Sequence, residues 1–242
     1  MSTEQGRIAW VVGASSGMGR AAALAAAREG RAVAVSARRA DRLDAVVAEI
    51  TAAGGVARAY PGDATETDWA QRTAQAVAQD LGGIDELVLA AGLNTPQRAW
   101  ADQSIAELED VVSVNLVAAV RAIDAALPAL RVRGGTVVVV SSYSAWTFSP
   151  GAGVAYSASK TALGSICRTL NAQEAQHGIR ATHLCPGDVD TDFLSRRPVV
   201  PDAEARAVML TADDVARSIL HVLDAPPHVR IDELVISPLA QR

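Results

Sequence analysis

Lysine is almost missing from this chain of 242 residues, in which Lys and Arg together number 22 but only one is a lysine, Lys160. A general bias toward arginine explains most of this pattern, because arginine serves a solvated surface as well as lysine does. The one lysine that remains needs a reason specific to its position. Arginine has a pKa too high to tune and a different donor geometry, so a site that needs an ammonium group resists its replacement.

Other scarce features exclude whole classes of protein. The two cysteines, Cys167 and Cys185, cannot build a disulfide framework, and neither they nor the four histidines have metal-ligand spacing, so we expect no metal site. The net charge of −5, without a basic stripe, argues against a nucleic-acid partner. The first seven residues lack the layout of a signal peptide, and the apolar runs are too short to span a membrane. We therefore expect a cytoplasmic protein with no membrane partner.

Aromatic residues make up only 4% of the chain although 50% is apolar, so the core must be built from Ala, Val, Leu and Ile. Short apolar runs alternate with longer amphipathic segments, which predicts repeated βα units around a parallel sheet. The composition of the runs is typical of strands covered on both faces. We predict one α/β domain over residues 1–242, a doubly wound parallel sheet of about seven strands with helices on both faces.

The expected strands are Ile8–Val12, Ala32–Ser36, Val56–Tyr60, Glu86–Ala90, Thr136–Ser141, Arg180–Cys185 and Glu233–Ile236. The expected helices are Gly17–Glu29, Asp41–Ala53, Glu66–Asp80, Ser104–Arg131, Ala155–His177 and Ala212–Leu223. One long irregular stretch remains, at about residues 187–211. A loop of this length in a compact domain is often a lid over a site.

The first predicted strand ends in a glycine-rich turn with the pattern G-x-x-x-G-x-G, formed by Gly13, Gly17 and Gly19. Glycines let the backbone approach a pyrophosphate, and the N-terminus of the following helix supplies free N–H groups and a favourable dipole. A turn with only a structural role would show the same glycine pattern. The position of the turn after the first strand of a βα series favours dinucleotide binding.

The second predicted strand ends at Arg38 and Arg39, where an enzyme that selects NAD normally carries an acidic side chain for the ribose hydroxyls. An arginine can instead pair with the 2′-phosphate of NADP, so we expect NADP, although both arginines would equally suit a solvated loop. Asp63, after the third strand, is either an acceptor for the adenine amino group or a turn residue.

Tyr156 and Lys160 lie four residues apart on a predicted helix, on one face. A phenol with a pKa of about 10 is a poor acid–base catalyst at neutral pH. A nearby ammonium favours the phenolate and lowers that pKa. An ordinary helix face with a surface lysine is the commoner origin of such a pair, but the isolation of Lys160 among arginines argues for a catalytic pair.

Taken together, these motifs resemble the short-chain dehydrogenase/reductase family in its shorter, single-domain form. The resemblance extends from Arg7 to about Ile236, with the motifs in family order. They are Gly13–Gly19, Asp63, Leu89–Gly92, Val114–Leu116, Ser141-Ser142, Tyr156–Lys160 and Cys185–Gly187 followed by Thr191.

The resemblance implies a Rossmann-type fold and an NADP-dependent oxidoreductase that moves a hydride between the nicotinamide and a small ketone, aldehyde or hydroxy acid. Tyr156 would exchange a proton with the substrate oxygen, and Ser142 would position that oxygen. Lys160 would lower the Tyr156 pKa and bind the ribose, and Asn115 would hold a water that links Lys160 to solvent. The implied cofactor site consists of Gly13, Ser15, Ser16, Gly17, Met18, Gly19, Arg38, Arg39, Asp63, Ala64, Ala91, Gly92, Tyr156, Lys160, Pro186, Gly187, Val189 and Thr191.

The chain departs from the family pattern at three places. Val12 stands where a threonine is usual, and Leu89–Gly92 reads L-A-A-G where N-N-A-G is common. Ser142 precedes Tyr156 by fourteen residues, one more than usual, which places Tyr143 at the family's serine position. We interpret this as one extra residue in the loop 143–155. Ser141 and Ser144 stay open as substitutes for Ser142.

Partner and substrate are less defined by the sequence. The family usually forms homotetramers or homodimers, with the helices at 104–131 and 155–177 in one interface, and the C-terminal segment 226–238 resembles a branch that includes NADP-dependent 3-hydroxy acid and serine dehydrogenases. An apolar substrate pocket is expected from Tyr143, Trp146, Phe148 and Phe193, with local loop packing as the alternative. Arg196 and Arg197 would meet an anionic substrate or only water. A non-catalytic dinucleotide-binding regulator and a lyase on the same fold are the competing functions.

Overall fold

The computed structural model of the protein describes residues 6–241 and shows a parallel sheet with helices on both of its faces. The strands are β1 (Ile8–Val12), β2 (Ala32–Ala37), β3 (Val56–Pro61), β4 (Glu86–Leu89), β5 (Gly135–Val140), β6 (Ile179–Pro186), β7 (Val189–Asp190), β8 (Leu210–Thr211) and β9 (Glu233–Ile236). Seven of them form the sheet, in the order β3-β2-β1-β4-β5-β6-β9. The predicted single-domain, doubly wound α/β fold is confirmed.

The helices that cover the sheet follow the predicted pattern, with shifts at their ends. They are α1 (Gly17–Arg28), α2 (Ala40–Ala52), α3 (Trp69–Leu81), α4 (Ile105–Val112), α5 (Ala118–Arg133), α6 (Tyr143–Trp146), α7 (Val154–Gln173), α8 (Ala203–Ala207) and α9 (Ala212–Leu223). Helix α3 begins three residues later than Glu66, because the Asp63 carboxylate closes a turn on Thr65 and the Glu66 amide bonds to the Asp63 carbonyl. The predicted helix that ends at His177 stops at Gln173 and is followed by a 3₁₀ turn, Ala175–His177.

Strand β1 shows how the sequence builds two cores at once. Trp10 and its alternate neighbours face the layer of α3, α5 and α7, whereas Val11 faces the layer of α1, α2 and α9. Side chains alternate across a strand, so a strand with apolar residues at every position is buried on both faces. All five residues of β1 are buried.

The order of the strands reverses between β1 and β4, which are parallel neighbours although β2 and β3 lie between them in the chain. The connections from these two strands leave toward opposite faces of the sheet and open a crevice at the carboxyl ends of the strands. The turn at residues 13–16, the segment after β4 and the serines after β5 all lie at this edge.

The long helix predicted over Ser104–Arg131 is interrupted. Helix α4 passes through a π-helical turn, Ser113–Val117, before α5 begins, and Asn115 is the buried residue of that turn. By length and composition the composite helix, 29 residues from Ile105 to Arg133, would be apolar enough to cross a membrane. Helices in the core of a soluble protein pass the same test, and α5 packs against α3 and the sheet here.

Residues 187–211, expected to be irregular, contain short elements instead. Strand β7 pairs in parallel with β8 and ties the two ends of the segment together. A 3₁₀ turn, Asp192–Arg196, and helix α8 lie between them. The segment is therefore a folded flap beside the crevice rather than an open loop.

Candidate functional site

A cavity of about 520 Å³ occupies the crevice at the carboxyl ends of the strands. Its lining combines the turn after β1 with side chains from the distant helix α7 and from the flap. Of the expected cofactor residues, it includes Gly13, Ser15, Ser16, Gly17, Met18, Arg38, Arg39, Asp63, Ala64, Ala91, Gly92, Tyr156, Lys160 and Thr191.

The glycines of the first turn are required by close packing. A Cβ on Gly13 would lie 2.5 Å from the Ala91 nitrogen, and one on Gly19 would lie 2.3 Å from the Gly13 carbonyl oxygen. Gly13 also has a φ of 90°, which L side chains rarely adopt. The turn can approach β4 and start α1 only without these side chains. Gly19 thus acts in the packing behind the cavity.

The two arginines after β2 have different surroundings. The Arg39 guanidinium donates to the hydroxyls of Ser15 and Ser16, each at 2.9 Å, so it ties β2 to the glycine turn. Hydrogen bonds from Thr65, and then the charge of Arg38, lower the pKa of Asp63. Asp63 accepts from the Thr65 amide at 2.9 Å and its hydroxyl at 2.8 Å, which is the turn role that the sequence left open.

Lys160 is buried in α7 and faces the end of β5. Its Nζ donates to the Val140 carbonyl oxygen at 3.0 Å and lies 5.8 Å from the centre of the Tyr156 ring. Burial lowers the pKa of Lys160 to about 8. Its backbone carbonyl accepts from the Ser141 hydroxyl at 3.0 Å. Val140 and Ser141, at the end of β5 and just after it, therefore hold the ammonium group and the backbone carbonyl of Lys160.

The three serines before Tyr156, namely Ser141, Ser142 and Ser144, have different hydrogen-bond partners. The Ser141 hydroxyl is buried and committed to the Lys160 carbonyl, and the Ser144 hydroxyl donates to Ser142 at 3.1 Å. Ser142 lowers the pKa of the Tyr156 phenol, and its hydroxyl accepts from the Ser144 amide at 3.2 Å. Among the three serines, Ser142 is the one that acts on the Tyr156 phenol, and its assignment as the catalytic serine, despite the longer spacing, stays a prediction.

The electrostatics of Tyr156 differ from the expectation. Burial is the largest influence and raises the pKa of this phenol, while Ser142 and then the charges of Arg98 and Arg197 act in the opposite direction. Lys160 was expected to lower this pKa, but its head group is directed at the Val140 carbonyl. The charges that lower the pKa of Tyr156 are those of Arg98 and Arg197, while Lys160 Nζ lies 5.8 Å from the centre of its ring.

Asn115 projects from the π turn toward the segment after β4. Its side-chain oxygen accepts from the Leu93 amide at 2.7 Å, and its nitrogen donates to the Leu93 carbonyl at 2.9 Å and the Ser159 hydroxyl at 3.1 Å. The side chain is thus engaged with protein groups, and its expected role of holding a water that links Lys160 to solvent stays a prediction. It fixes the path of the backbone beside Gly92 and Lys160.

The expected aromatic wall is only partly assembled. Phe193 lines the cavity and lies 6.2 Å from the Tyr156 ring, centre to centre. Trp146 packs on Tyr143 at 5.1 Å but is 52% exposed, and Phe148 is 86% exposed. The short helix α6 turns these side chains outward. For Tyr143, Trp146 and Phe148 the alternative, local packing at the surface, fits the geometry better.

Most of the segment after β6 also lies outside the cavity, although it was expected in the cofactor site. Thr191 lines the cavity and meets Gly17, whereas Pro186, Gly187 and Val189 are set back from it. Gly187 is covered by the side chain of Gln241, whose Oε1 accepts from the Asp188 amide at 2.8 Å. Contacts from the C-terminal end of the chain cannot be read from local sequence.

Two groups were missed by sequence reasoning. Arg98 lies in an irregular segment with no motif, and only the folded chain brings it near Tyr156. His183, Cys185 and Glu233 also converge, since His183 and Glu233 are paired in register on β6 and β9, and their ligand atoms lie within 4.8 Å of one another. Burial raises the pKa of Cys185 to about 12, which opposes the thiolate that a metal requires. The sequence separation of Glu233 hides this cluster from spacing rules.

Comparison with known proteins agrees with this architecture. The family model described as short chain dehydrogenase matches residues 7–198. Glycine betaine reductase ATRR of Emericella nidulans is 36% identical over 242 residues, an alignment that covers 96% of this chain and 19% of that protein. The chain therefore spans only a small part of the length of this relative.

Two solved structures superpose over almost the whole chain. An alcohol dehydrogenase from the archaeon Thermococcus sibiricus, complexed with 5-hydroxy-NADP, has a TM-score of 0.88 at 29% identity and covers 98% of each chain. A closed form of serine dehydrogenase complexed with NADP+ has a TM-score of 0.88 at 25% identity and covers 97% of this chain and 96% of the other.

Proposed function

Since the chain belongs to the short-chain dehydrogenase family, we propose that it is an NADP(H)-dependent oxidoreductase that transfers a hydride between the nicotinamide and a small carbonyl or alcohol substrate. The observation that carries this proposal is the grouping of Tyr156, Ser142 and buried Lys160 beside one cavity that the glycine turn also lines. The first two groups can share a substrate oxygen, and the cavity extends from them to Arg38.

The cavity has the features that a dinucleotide requires. A Cβ on Gly92 would lie 3.6 Å from Lys160 Nζ and 3.7 Å from Asn115 Oδ1, so the absence of a side chain leaves these polar groups accessible. At the other end, Trp69 contributes to the lining and its buried indole nitrogen has no hydrogen-bond partner among the described residues.

The protein groups would act on the substrate oxygen and leave hydride chemistry to the cofactor, which supplies a hydride donor or acceptor when bound. Tyr156 would donate its phenolic proton to the carbonyl oxygen in reduction and accept it in oxidation. Ser142 would donate a hydrogen bond to the same oxygen and fix its position. Lys160 would hold the ribose hydroxyls, and Asn115 would keep the backbone beside Gly92 in place.

The preference for NADP rests on Arg38. Its side chain lines the cavity next to the end of β2, where an acidic residue would favour NAD, and Arg39 is already engaged with Ser15 and Ser16. The two structural neighbours described above were solved with NADP compounds, which supports the same choice. Arg38 is therefore the side chain that we assign to the 2′-phosphate.

The competing functions are less well supported. A non-catalytic regulator would have no need of the Ser142–Tyr156 contact or of the solitary buried lysine. A lyase of the halohydrin dehalogenase kind carries an arginine in place of Lys160 and a degraded glycine turn, and this chain has neither change.

Assembly and location are part of the proposal. We expect a cytoplasmic homotetramer or homodimer, because α4 and α5 expose Ile105, Val117, Val120 and Val132 on a surface that a second copy would cover. The flap at 187–211 is proposed to close over the substrate. Light scattering in solution distinguishes the assembly from a monomer.

Binding and turnover test the function separately. Titration with NADPH and NADH should give tighter binding of NADPH, and Arg38→Ala should weaken NADPH far more than NADH; equal losses would remove the cofactor assignment. A panel of carbonyl compounds, followed by NADPH absorbance, should reveal turnover. Tyr156→Phe should keep NADPH binding and lose turnover by a factor of about 100 or more. Failure to bind either dinucleotide would reject the function altogether.

A further inference from the structure

Arg98 is a cation that the fold brings near Tyr156. Its Nε donates to the Thr95 carbonyl at 2.7 Å, and Nη1 donates to the Gly151 carbonyl at 3.4 Å. Nη2 donates to the Arg196 carbonyl in the flap at 2.8 Å. Three separate segments around the site thus converge on one guanidinium.

The position of Arg98 relative to the tyrosine is fixed by backbone packing. A Cβ on Gly153 would lie 2.8 Å from the Arg98 Cβ, so the two chains touch at the residue that precedes α7. Tyr156 lies in the first turn of α7, three residues further on. The contact holds Arg98 against the start of α7, and its charge acts on the Tyr156 phenol.

The charge of Arg98 is not neutralised within residues 6–241. All its hydrogen bonds in that range go to backbone carbonyls, and it takes part in no ion pair there. Burial, and then the repulsion of a second cation, Arg197, lowers the pKa of Arg98. Arg197 has its own carboxylate partner in Asp188. The pair of arginines therefore leaves one uncompensated positive charge beside Tyr156.

We propose that Arg98, supported by Arg197, binds the negatively charged group of an anionic carbonyl or hydroxy substrate and so sets the substrate class of this enzyme. This deepens the proposed function and rests on it. A guanidinium matches a carboxylate or phosphate with paired donors and keeps its charge at every working pH. A substrate anion supplies the partner that Arg98 lacks, whereas a cationic substrate would be repelled.

The substrate class proposed for this chain differs from the one that the name of one relative suggests. Glycine betaine, for which the Emericella nidulans protein is named, carries a positively charged trimethylammonium group. Aromatic side chains are the usual partners of such groups. Of the four aromatics expected at the pocket, only Phe193 lines the cavity, and Arg98 and Arg197 place positive charge near Tyr156. An aldehyde with a quaternary ammonium group is therefore expected to be a poor substrate.

Matched substrate pairs provide the test. The first pair is acetoacetate and methyl acetoacetate, and the second is dihydroxyacetone phosphate and dihydroxyacetone; trimethylammonium acetaldehyde is the cationic member. The protein should have a higher kcat/KM for the charged member of one pair than for its neutral analogue, and the pair concerned tells carboxylate from phosphate. Arg98→Gln should reduce that preference by about 10- to 100-fold, mainly through KM. Arg98→Glu should shift the preference toward the cationic aldehyde.

Controls distinguish recognition from a structural role of Arg98. Arg206→Gln removes an arginine of the flap that already has a carboxylate partner, Asp190, and should leave the preference between charged and neutral members unchanged. If Arg98 only holds the loops together, Arg98→Gln lowers kcat equally for all substrates, which overturns the inference. Should the variant fail to fold, ionic strength serves on the unaltered protein, where salt should raise KM for the anion and not for its neutral analogue.

The remaining outcomes separate the two proposals. If neutral and anionic members are reduced equally well, and salt has the same effect on both, the inference is wrong while the oxidoreductase function stands. If NADPH binds but no carbonyl of a wide panel is reduced, the proposed function fails and the inference falls with it.

Discussion

Lys160 donates its Nζ to the carbonyl oxygen of Val140 across 3.0 Å. This bond places a buried ammonium at the end of β5, and Lys160 forms no ion pair within residues 6–241. A carbonyl dipole stabilises an ammonium less than a carboxylate would, so burial dominates and the pKa of Lys160 falls to about 8. The solitary lysine of the sequence thus occupies a place where burial favours its neutral form.

Removal of this ammonium should change how stability depends on pH. The folded-state pKa of Lys160, about 8, lies below its ordinary value of 10.5, so the folded protein binds fewer protons between these limits than the unfolded chain. Below the folded pKa both states are protonated and the folded state carries the full cost of a buried charge. The cost disappears as the pH rises through the window. It amounts to roughly 3 kcal/mol.

Lys160→Met should therefore be more stable than the unaltered protein at pH 7, and the difference should shrink as the pH rises from about 8 to 10.5. Urea unfolding of both proteins at several pH values measures the difference, which cancels the titration of other groups. Lys160→Arg is the companion variant. It keeps the charge, and we expect turnover to fall at least about tenfold because the larger planar head does not fit the Val140 carbonyl in the same way. Equal stability of the Met variant at every pH would contradict the argument.

The serines before Tyr156 should separate into a catalytic and a structural residue. Ser142→Ala should lower kcat by about 10- to 100-fold with little change in stability, because Ser142 acts on the Tyr156 phenol and would fix the substrate oxygen. Ser141→Ala removes a buried hydrogen bond to the Lys160 carbonyl and should cost about 1 kcal/mol of stability, with a smaller effect on kcat. Steady-state kinetics and thermal unfolding on the same preparations decide the assignment. The reverse pattern would transfer the catalytic role to Ser141.

The main features of this fold were predictable because they follow from periodicity. Apolar runs gave the sheet strands within one or two residues at each end, and glycines marked the tight contacts at Gly13 and Gly19. These features are local: a strand buried on both faces must be apolar at each position, and a close backbone contact must lack a Cβ.

Features that depend on distant partners were not predictable. The π turn around Asn115 is selected by its hydrogen bonds to Leu93, which lies 22 residues earlier. Arg98 reaches Tyr156 only through packing on Gly153 and the flap. Spacing also failed to indicate where Trp146 and Phe148 would point, because a short helix reverses the loop that carries them. Local patterns do not encode these long-range choices.

Asn115→Ala should destabilise the protein by about 1 to 3 kcal/mol, because it leaves the amide and the carbonyl of Leu93 without their partner. The backbone beside Gly92 should also loosen, which we expect to weaken NADPH binding. Ser159→Ala is the matched control, since it removes only one contact of the Asn115 side chain. Its loss should be clearly smaller. Similar losses for the two variants would indicate that the Leu93 bonds contribute little.

The largest expected change in stability comes from a buried ion pair at the amino ends of the strands, opposite the cavity. Glu86 of β4 has a side chain only 2% exposed and accepts from Arg31 at 2.7 Å, while Arg31 also pairs with Asp224 at 2.6 Å. Arg31→Met leaves the carboxylate with one weaker partner, Arg7 at 3.3 Å, whose side chain is 51% exposed. We expect a loss of about 3 to 5 kcal/mol.

The stability lost in Arg31→Met is expected to be larger than the stability that the intact ion pair contributes. Most of it is the cost of an uncompensated charge at Glu86, because removal of both charges also removes the need to solvate either. The double variant Arg31→Met with Glu86→Leu should therefore recover most of the stability, although it contains one more substitution. Denaturant unfolding of the two single variants and the double variant gives the coupling energy directly. A double variant as unstable as Arg31→Met would mean that packing of the arginine side chain, and not its charge, stabilises this edge.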